Sequence, residues 1–149
     1  MPLTATVDLI AVPNQHFSNR GLFDRDRTLW LGYVLRGPAG LAYFAGDTAL
    51  GPHYAAIRTR LGPPRLAVLP IGAYRPSWFM SAVHQSPAQA LEAHRILGAG
   101  TSVAMHFGTF ALGDDGEDEP TAALEAELLT SSPRPRFWVL GFGEGREVP

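Results

Sequence analysis

Apolar and polar positions divide the chain into short strand-like runs, followed by an alternation of helical and strand-like runs. Thr6 to Val12 is a short apolar run broken by Pro13, which predicts a strand leading into a loop that carries His16. Leu29 to Arg36 and Leu41 to Phe44 predict two further strands, joined by the hairpin signal Gly37-Pro38-Ala39-Gly40. The second of them ends at Gly46-Asp47-Thr48, where glycine permits a sharp turn and the carboxylate projects from the strand's end. Pro52 to Leu61 has apolar residues near helical spacing, Pro in the first turn and Gly62 at the end, and predicts a short helix. Arg65 to Ile71 is a strand. Ser86-Pro87-Ala88-Gln89 combines an N-cap, a first-turn Pro and a capping-box Gln, opening a helix to about Leu97 that Gly98 stops. Thr101 to Met105 returns as a strand ending at His106, Pro120 to about Leu129 is a helix, and Phe137 to Leu140 is a last strand. Three strands followed by alternating helix and strand predict an α/β layered half-domain, with no internal repeat and no interdomain linker.

Composition narrows the chemistry more than the fold. The chain has 149 residues, 46% apolar and 17% charged, which suits one domain with a substantial core. A formal net charge of -2 leaves no basic footprint for nucleic acid, and every fixed positive charge is Arg, because Lys is absent. With no Cys, a disulfide framework and a thiolate metal site are both excluded, so any metal would be held by His, Asp or Glu. The first residues lack the pattern of a signal peptide, and no apolar run approaches the ~18 residues of a spanning helix; the expectation is a soluble cytoplasmic protein.

Three candidate ligands follow strand-like runs by a few residues, where open α/β sheets commonly build their sites: His16, Asp47 and His106. Imidazole nitrogen and carboxylate oxygen suit zinc and related divalent ions, and a carboxylate can bridge two of them. Each also has an ordinary reading: a loop histidine, a turn carboxylate capping the following helix, a half-buried imidazole with a partner. Tyr74 and His84 bracket Arg75-Pro76-Ser77-Trp78-Phe79-Met80, read as a loop. Its aromatics either fold back into the core or form an apolar wall beside a site, with His84 as a neutral or protonated donor to an anionic substrate. His53 and His94 read as ordinary helix residues. The acidic run Asp114-Asp115-Gly116-Glu117-Asp118-Glu119 lacks the ligand spacing of an EF-hand and reads as a solvated loop before a helix.

The strings Gln15-His16-Phe17, Phe44-Ala45-Gly46-Asp47-Thr48, Leu69-Pro70-Ile71-Gly72-Ala73-Tyr74, Trp78-Phe79-Met80 and His106-Phe107-Gly108-Thr109-Phe110, in this order, are specific. Together they resemble the metallo-β-lactamase superfamily, in particular the branch of N-acyl-phosphatidylethanolamine-hydrolysing phospholipase D and its bacterial relatives. The likeness runs from about Val12 to Leu129. It implies an αββα sandwich, a mixed sheet flanked by helices, with two metal ions, usually zinc, in a cleft. By position, His16 resembles a ligand of one metal, Asp47 the bridging carboxylate and His106 a ligand of the second. His84 is similar to the family's active-site histidine outside the metal shell, and Tyr74 falls in the loop bordering the substrate cleft. The implied reaction is phosphodiester cleavage of a phospholipid, with other esters within the superfamily's range and peripheral membrane contact through Trp78, Phe79 and Met80.

One part of the resemblance is absent. The family's His-x-His-x-Asp-His motif has no counterpart, and no two histidines here lie two positions apart. The expectation is therefore the C-terminal half of the family's domain, with residues 1–149 as a partial domain lacking the motif-bearing half. Three ligands cannot complete two zinc shells of roughly four ligands each. The sheet would also expose an apolar face unless a second copy or a complementing half covers it. Hydrolysis is then expected of a complete domain, and a non-catalytic binding or assembly module is the alternative.

Overall fold

The computed structural model describes residues 2–4 and 6–149. Along the chain run strands β1 (Pro2–Thr4), β2 (Val7–Val12), β3 (Gly32–Gly37) and β4 (Gly40–Phe44), then helix α1 (His53–Leu61) and strand β5 (Leu66–Pro70). Helices α2 (Ser77–Met80) and α3 (Pro87–Leu97), strand β6 (Thr101–Met105), helix α4 (Glu119–Thr130) and strand β7 (Phe137–Trp138) complete it. One seven-stranded sheet takes the strands in chain order, antiparallel from β1 to β4 and parallel from β4 to β7. Every expected strand and helix forms, and the hairpin closes with Gly37 paired to Gly40. The strand expected from Leu29 begins only at Gly32. Strand β1 was not foreseen, nor was the single turn of α2 in a segment read as loop.

The strand register explains how one sheet has two different faces. Ile10, Val34, Tyr43, Ala67, Ser102 and Phe137 lie in one row across the strands, and all but Ile10 are buried. Helix α3 packs over this face against β5, flanked by α1 and α4, and brings Leu91 and Leu97 into the same core as Leu69 and Leu124. Burying each such side chain stabilises the fold by roughly 1.5–3 kcal/mol. The neighbouring row, Ala11, Tyr33, Phe44, Val68, Val103 and Trp138, points the other way. There Tyr33 and Phe44 remain 40% and 47% exposed while Val68, Val103 and Trp138 are half-buried, so this face is apolar and, at its β2–β4 side, uncovered among the described residues.

Local chemistry sets the ends of α3 as its sequence implies. Ser86 Oγ accepts from the Gln89 amide at 3.3 Å, and Gln89 Oε1 accepts from the Ser86 amide at 2.9 Å, satisfying two donors that a helix start leaves open. Gly98 ends the helix in the left-handed conformation, φ 62°. The tight segment before α3 divides its aromatics. Met80 is buried, whereas Trp78 and Phe79 are exposed, so neither reading of that segment holds for all three side chains.

Candidate functional site

Strand direction gathers the candidate residues. β2 is antiparallel to β3, and β3 to β4, so β2 runs the same way as β4, β5 and β6. The C-terminal ends of these four strands therefore open at one edge of the sheet, and His16, Asp47, the Gly72–Tyr74 turn and His106 all leave from that edge. At the junction of β5 and β6 the two backbones approach closely. A Cβ on Gly72 would stand 2.1 Å from the carbonyl oxygen of His106, so only glycine fits. His106 itself adopts φ 63°, a left-handed conformation uncommon for a residue with a side chain.

A buried polar frame ties these segments together behind the site. Gln85, fully buried, donates through Nε2 to the Pro70 carbonyl at 3.0 Å and accepts from the Tyr54 hydroxyl at 2.8 Å. Its own amide donates to the Thr48 carbonyl at 3.1 Å. Thr48 Oγ1 accepts from the Gln15 amide at 2.9 Å, and Asn14 Nδ2 donates to the carbonyls of Ala45 and Asp47. The loops carrying His16, Asp47 and His84 are thus cross-linked by side chains adjacent to them in sequence. These framing residues, Asn14, Thr48, Tyr54 and Gln85, escaped the sequence reading, since a buried amide has no periodic signature. His53 and His94, read as ordinary helix residues, are both buried, with His94 Nδ1 2.8 Å from Ser102 Oγ.

At the front of this frame, His106 Nε2 lies 3.4 Å from Asp47 Oδ1. The His84 ring stands between two others, its centroid 5.2 Å from that of His106 and 5.1 Å from that of His16. The His106 imidazole holds the Asp47 carboxyl below its ordinary range, with smaller help from His16 and His84, and outweighs the opposing effect of partial burial. Asp47 in turn raises the pKa of His106. Burial, reinforced by His106 and His16, pushes His84 down to about 4, so at neutral pH it is an uncharged imidazole. Of the two charge states left open for it, burial favours the neutral one.

Tyr74 is placed differently. Its hydroxyl donates to Glu119 Oε1 at 2.6 Å, and Arg75 pairs with the same oxygen at 2.6 Å. Beside it, Asp115 accepts from the backbone amides of Ala73 at 2.8 Å and Arg75 at 3.4 Å. The acidic run is therefore not simply solvated: Asp115 and Glu119 pin the turn after β5. Between that turn and the chain after β6 lies a cavity of about 490 Å³, with His106 at one end.

The donor atoms fit a divalent ion in kind. His16 Nδ1 lies 2.9 Å from the Phe17 carbonyl oxygen, to which it donates, so Nε2 is the ring nitrogen outside that bond. That Nε2 is buried with no hydrogen-bond partner among the described residues, and His84 Nδ1 is similarly orphaned. A separation of 3.4 Å between His106 and Asp47 is long for a hydrogen bond but close to the ~3.3 Å between two tetrahedral zinc ligands at ~2.0 Å from the metal. Among the described residues, however, no three His, Asp or Glu side chains converge on one metal position, so these residues by themselves complete no metal site.

Comparison with known proteins bears on the family and the fold. A family model described as the β-lactamase superfamily domain matches residues 2–107. An N-acyl-phosphatidylethanolamine-hydrolyzing phospholipase D 1 of Caenorhabditis elegans is 39% identical over 109 residues, 72% of this chain and 31% of its own length. A metal-dependent hydrolase of Caldivirga maquilingensis is 32% identical over 150 residues, 99% of this chain and 56% of its own. In three dimensions, an isothiocyanate hydrolase from Delia radicum gut bacteria superposes with a TM-score of 0.70 at 19% identity, covering 93% of this chain and 53% of that one. The chain thus spans between about a third and just over half of the length of these three proteins. With its mixed sheet, its strand-end histidines and the family match over most of its length, the chain belongs to the metallo-β-lactamase superfamily.

Proposed function

We propose that the chain supplies one side of a metal-dependent hydrolase site, with His16, Asp47 and His106 as metal ligands and His84 facing the substrate. The observation carrying this reading is the approach of Asp47 to His106 at 3.4 Å with the rings of His84 and His16 beside them, four side chains from separate segments at one sheet edge. Zinc, in a two-ion centre, suits this donor set; when bound, it supplies Lewis acidity and a water acidic enough to ionise near neutral pH. Asp47 contributes an ionised carboxylate already oriented by His106. His84, neutral, offers an N–H to a phosphoryl or leaving oxygen without adding a positive charge to the cluster. Tyr74 acts on the substrate side by holding Glu119 and the turn that walls the cavity.

The substrate class that fits is a phosphodiester, with N-acyl-phosphatidylethanolamine-like lipids favoured by the specificity named for the Caenorhabditis elegans relative. Cleavage there would release the amide-bearing head group and leave phosphatidic acid. The exposed Trp78 and Phe79 would meet a bilayer surface from the cytoplasmic side, and no helix among the described residues is long and apolar enough to cross a membrane. Further ligands would come from a complementing half-domain or a second copy on the uncovered sheet face. The incomplete shell favours a second reading, a binding or assembly module that retains the fold without catalysis. Incubating a zinc-supplemented complete form of the domain, in which the further ligands are supplied, with N-acyl-phosphatidylethanolamine vesicles and measuring N-acylethanolamine by mass spectrometry separates the two. Release that Asp47→Asn abolishes is the expected result. Zinc bound with no release from this lipid or from a chromogenic phosphodiester would establish the second reading instead.

A further inference from the structure

The cavity beside His106 has a chemical character of its own. Its volume of about 490 Å³ falls within the range of small-molecule sites, roughly 300–1,000 Å³. Phe107, Phe110, Leu112 and Pro120 contribute its apolar walls. Phe110 and Leu112 are 79% and 62% exposed, an arrangement that leaves apolar surface in water beside a concave site.

The charges at the cavity are unequally spent. His106 is engaged by Asp47. Asp115 has its two oxygens on the amides of Ala73 and Arg75, and the nearby Arg75 is held by Glu119. Glu117 alone lines the cavity with a carboxylate that has no hydrogen bond or ion pair among the described residues. Its neighbours Asp114 and Asp118 carry the same sign. The field at this end of the cavity is therefore negative, and no free cation lines it to receive an anion.

We propose that this cavity is the subsite for an apolar substituent of the substrate ending in an ammonium or neutral group, with Glu117 selecting against anionic ends. This rests on the hydrolase reading only in placing the scissile group at Asp47 and His106; the binding preference itself needs no metal. Apolar burial against Phe110 and Leu112 supplies affinity, and Glu117 supplies discrimination through attraction of a cation and repulsion of an anion.

The test is isothermal titration of the full 149-residue chain, in chelator, with three ligands of equal chain length below their micellar concentrations: octyltrimethylammonium, octanol and octyl sulfate. The ammonium compound is expected to bind roughly tenfold more tightly than the sulfate, the sum of two partly screened charge effects. Glu117→Gln should bring the two together while leaving octanol unchanged, and Phe110→Ala should weaken all three. Equal or tighter binding of the sulfate by the wild-type chain, no binding of any of the three, or a preference unaltered in Glu117→Gln would overturn the proposal. Because no metal is present, failure of the hydrolase reading leaves this result standing, and failure here leaves that reading to its own assay.

Discussion

At the scale of single residues, four imidazoles carry shifted proton affinities, and their signs differ. Burial holds His53 and His84 at about 4 and lowers His94, all below the ordinary 6.5, so the unfolded chain takes up protons first as pH falls. The stability owed to these neutral rings is complete above about pH 6.5 and is lost as pH falls from there towards about 4. His106 runs the other way: raised by Asp47, its contribution is complete below 6.5 and is lost as pH rises through its own higher value. Below 6.5, of these four, only the first three contributions change. In chelator, the thermal midpoint is expected to fall across the acid window, and His53→Gln to flatten the fall; a midpoint that rises on acidification would contradict the assignment. Gln85 is the other residue with large leverage. Replacing it by Leu strands the Tyr54 hydroxyl and the Pro70 carbonyl, and should cost about 1–3 kcal/mol for each buried group left unpaired, read from urea unfolding. Loss of no more than a surface substitution's worth would show that the frame is dispensable.

At the scale of elements, what the sequence disclosed follows the length of each local signal. The capping box and stop of α3 were legible because Ser86, Pro87, Gln89 and Gly98 each act within one turn, and all four take those roles in the structure. Strand β1 and helix α2 were not, because three or four residues are too few for any periodicity. The candidate site was legible residue by residue, since His16, Asp47 and His106 each follow a strand, but its assembly was not. Nothing local reveals that Gln85 joins Thr48, Tyr54 and Pro70, or that Asp115 and Glu119 reach back to the turn after β5. These are contacts between residues far apart in the chain. The junction of β5 and β6 offers a direct test of that assembly. Gly72→Ala places a methyl against the His106 carbonyl and should destabilise the fold by about 1–3 kcal/mol while displacing His106 from Asp47. The His106 ring resonances would report the displacement, and their persistence at wild-type positions would refute it.

At the scale of the whole molecule, a sheet covered by helices on one side and bare on the other is an unfinished layer. The row through Ala11, Tyr33, Phe44, Val68, Val103 and Trp138 presents apolar side chains where a second layer would pack, and the chain covers about half of the solved relative. Sedimentation velocity over a concentration series is expected to show association through this face that Leu35→Glu combined with Phe44→Glu removes, without loss of the helical core. A wild-type chain that stays monomeric throughout would contradict it. The proposed site has the same character, with three candidate ligands and no group among the described residues that holds a metal by itself. The most direct test of the central claim is therefore zinc affinity, measured by competition with a chromophoric chelator on the 149-residue chain and on Asp47→Ala and His106→Ala. Each substitution is expected to weaken zinc binding by at least ~10-fold with the fold retained by circular dichroism. Equal affinity in all three proteins would contradict the assignment of Asp47 and His106 as metal ligands.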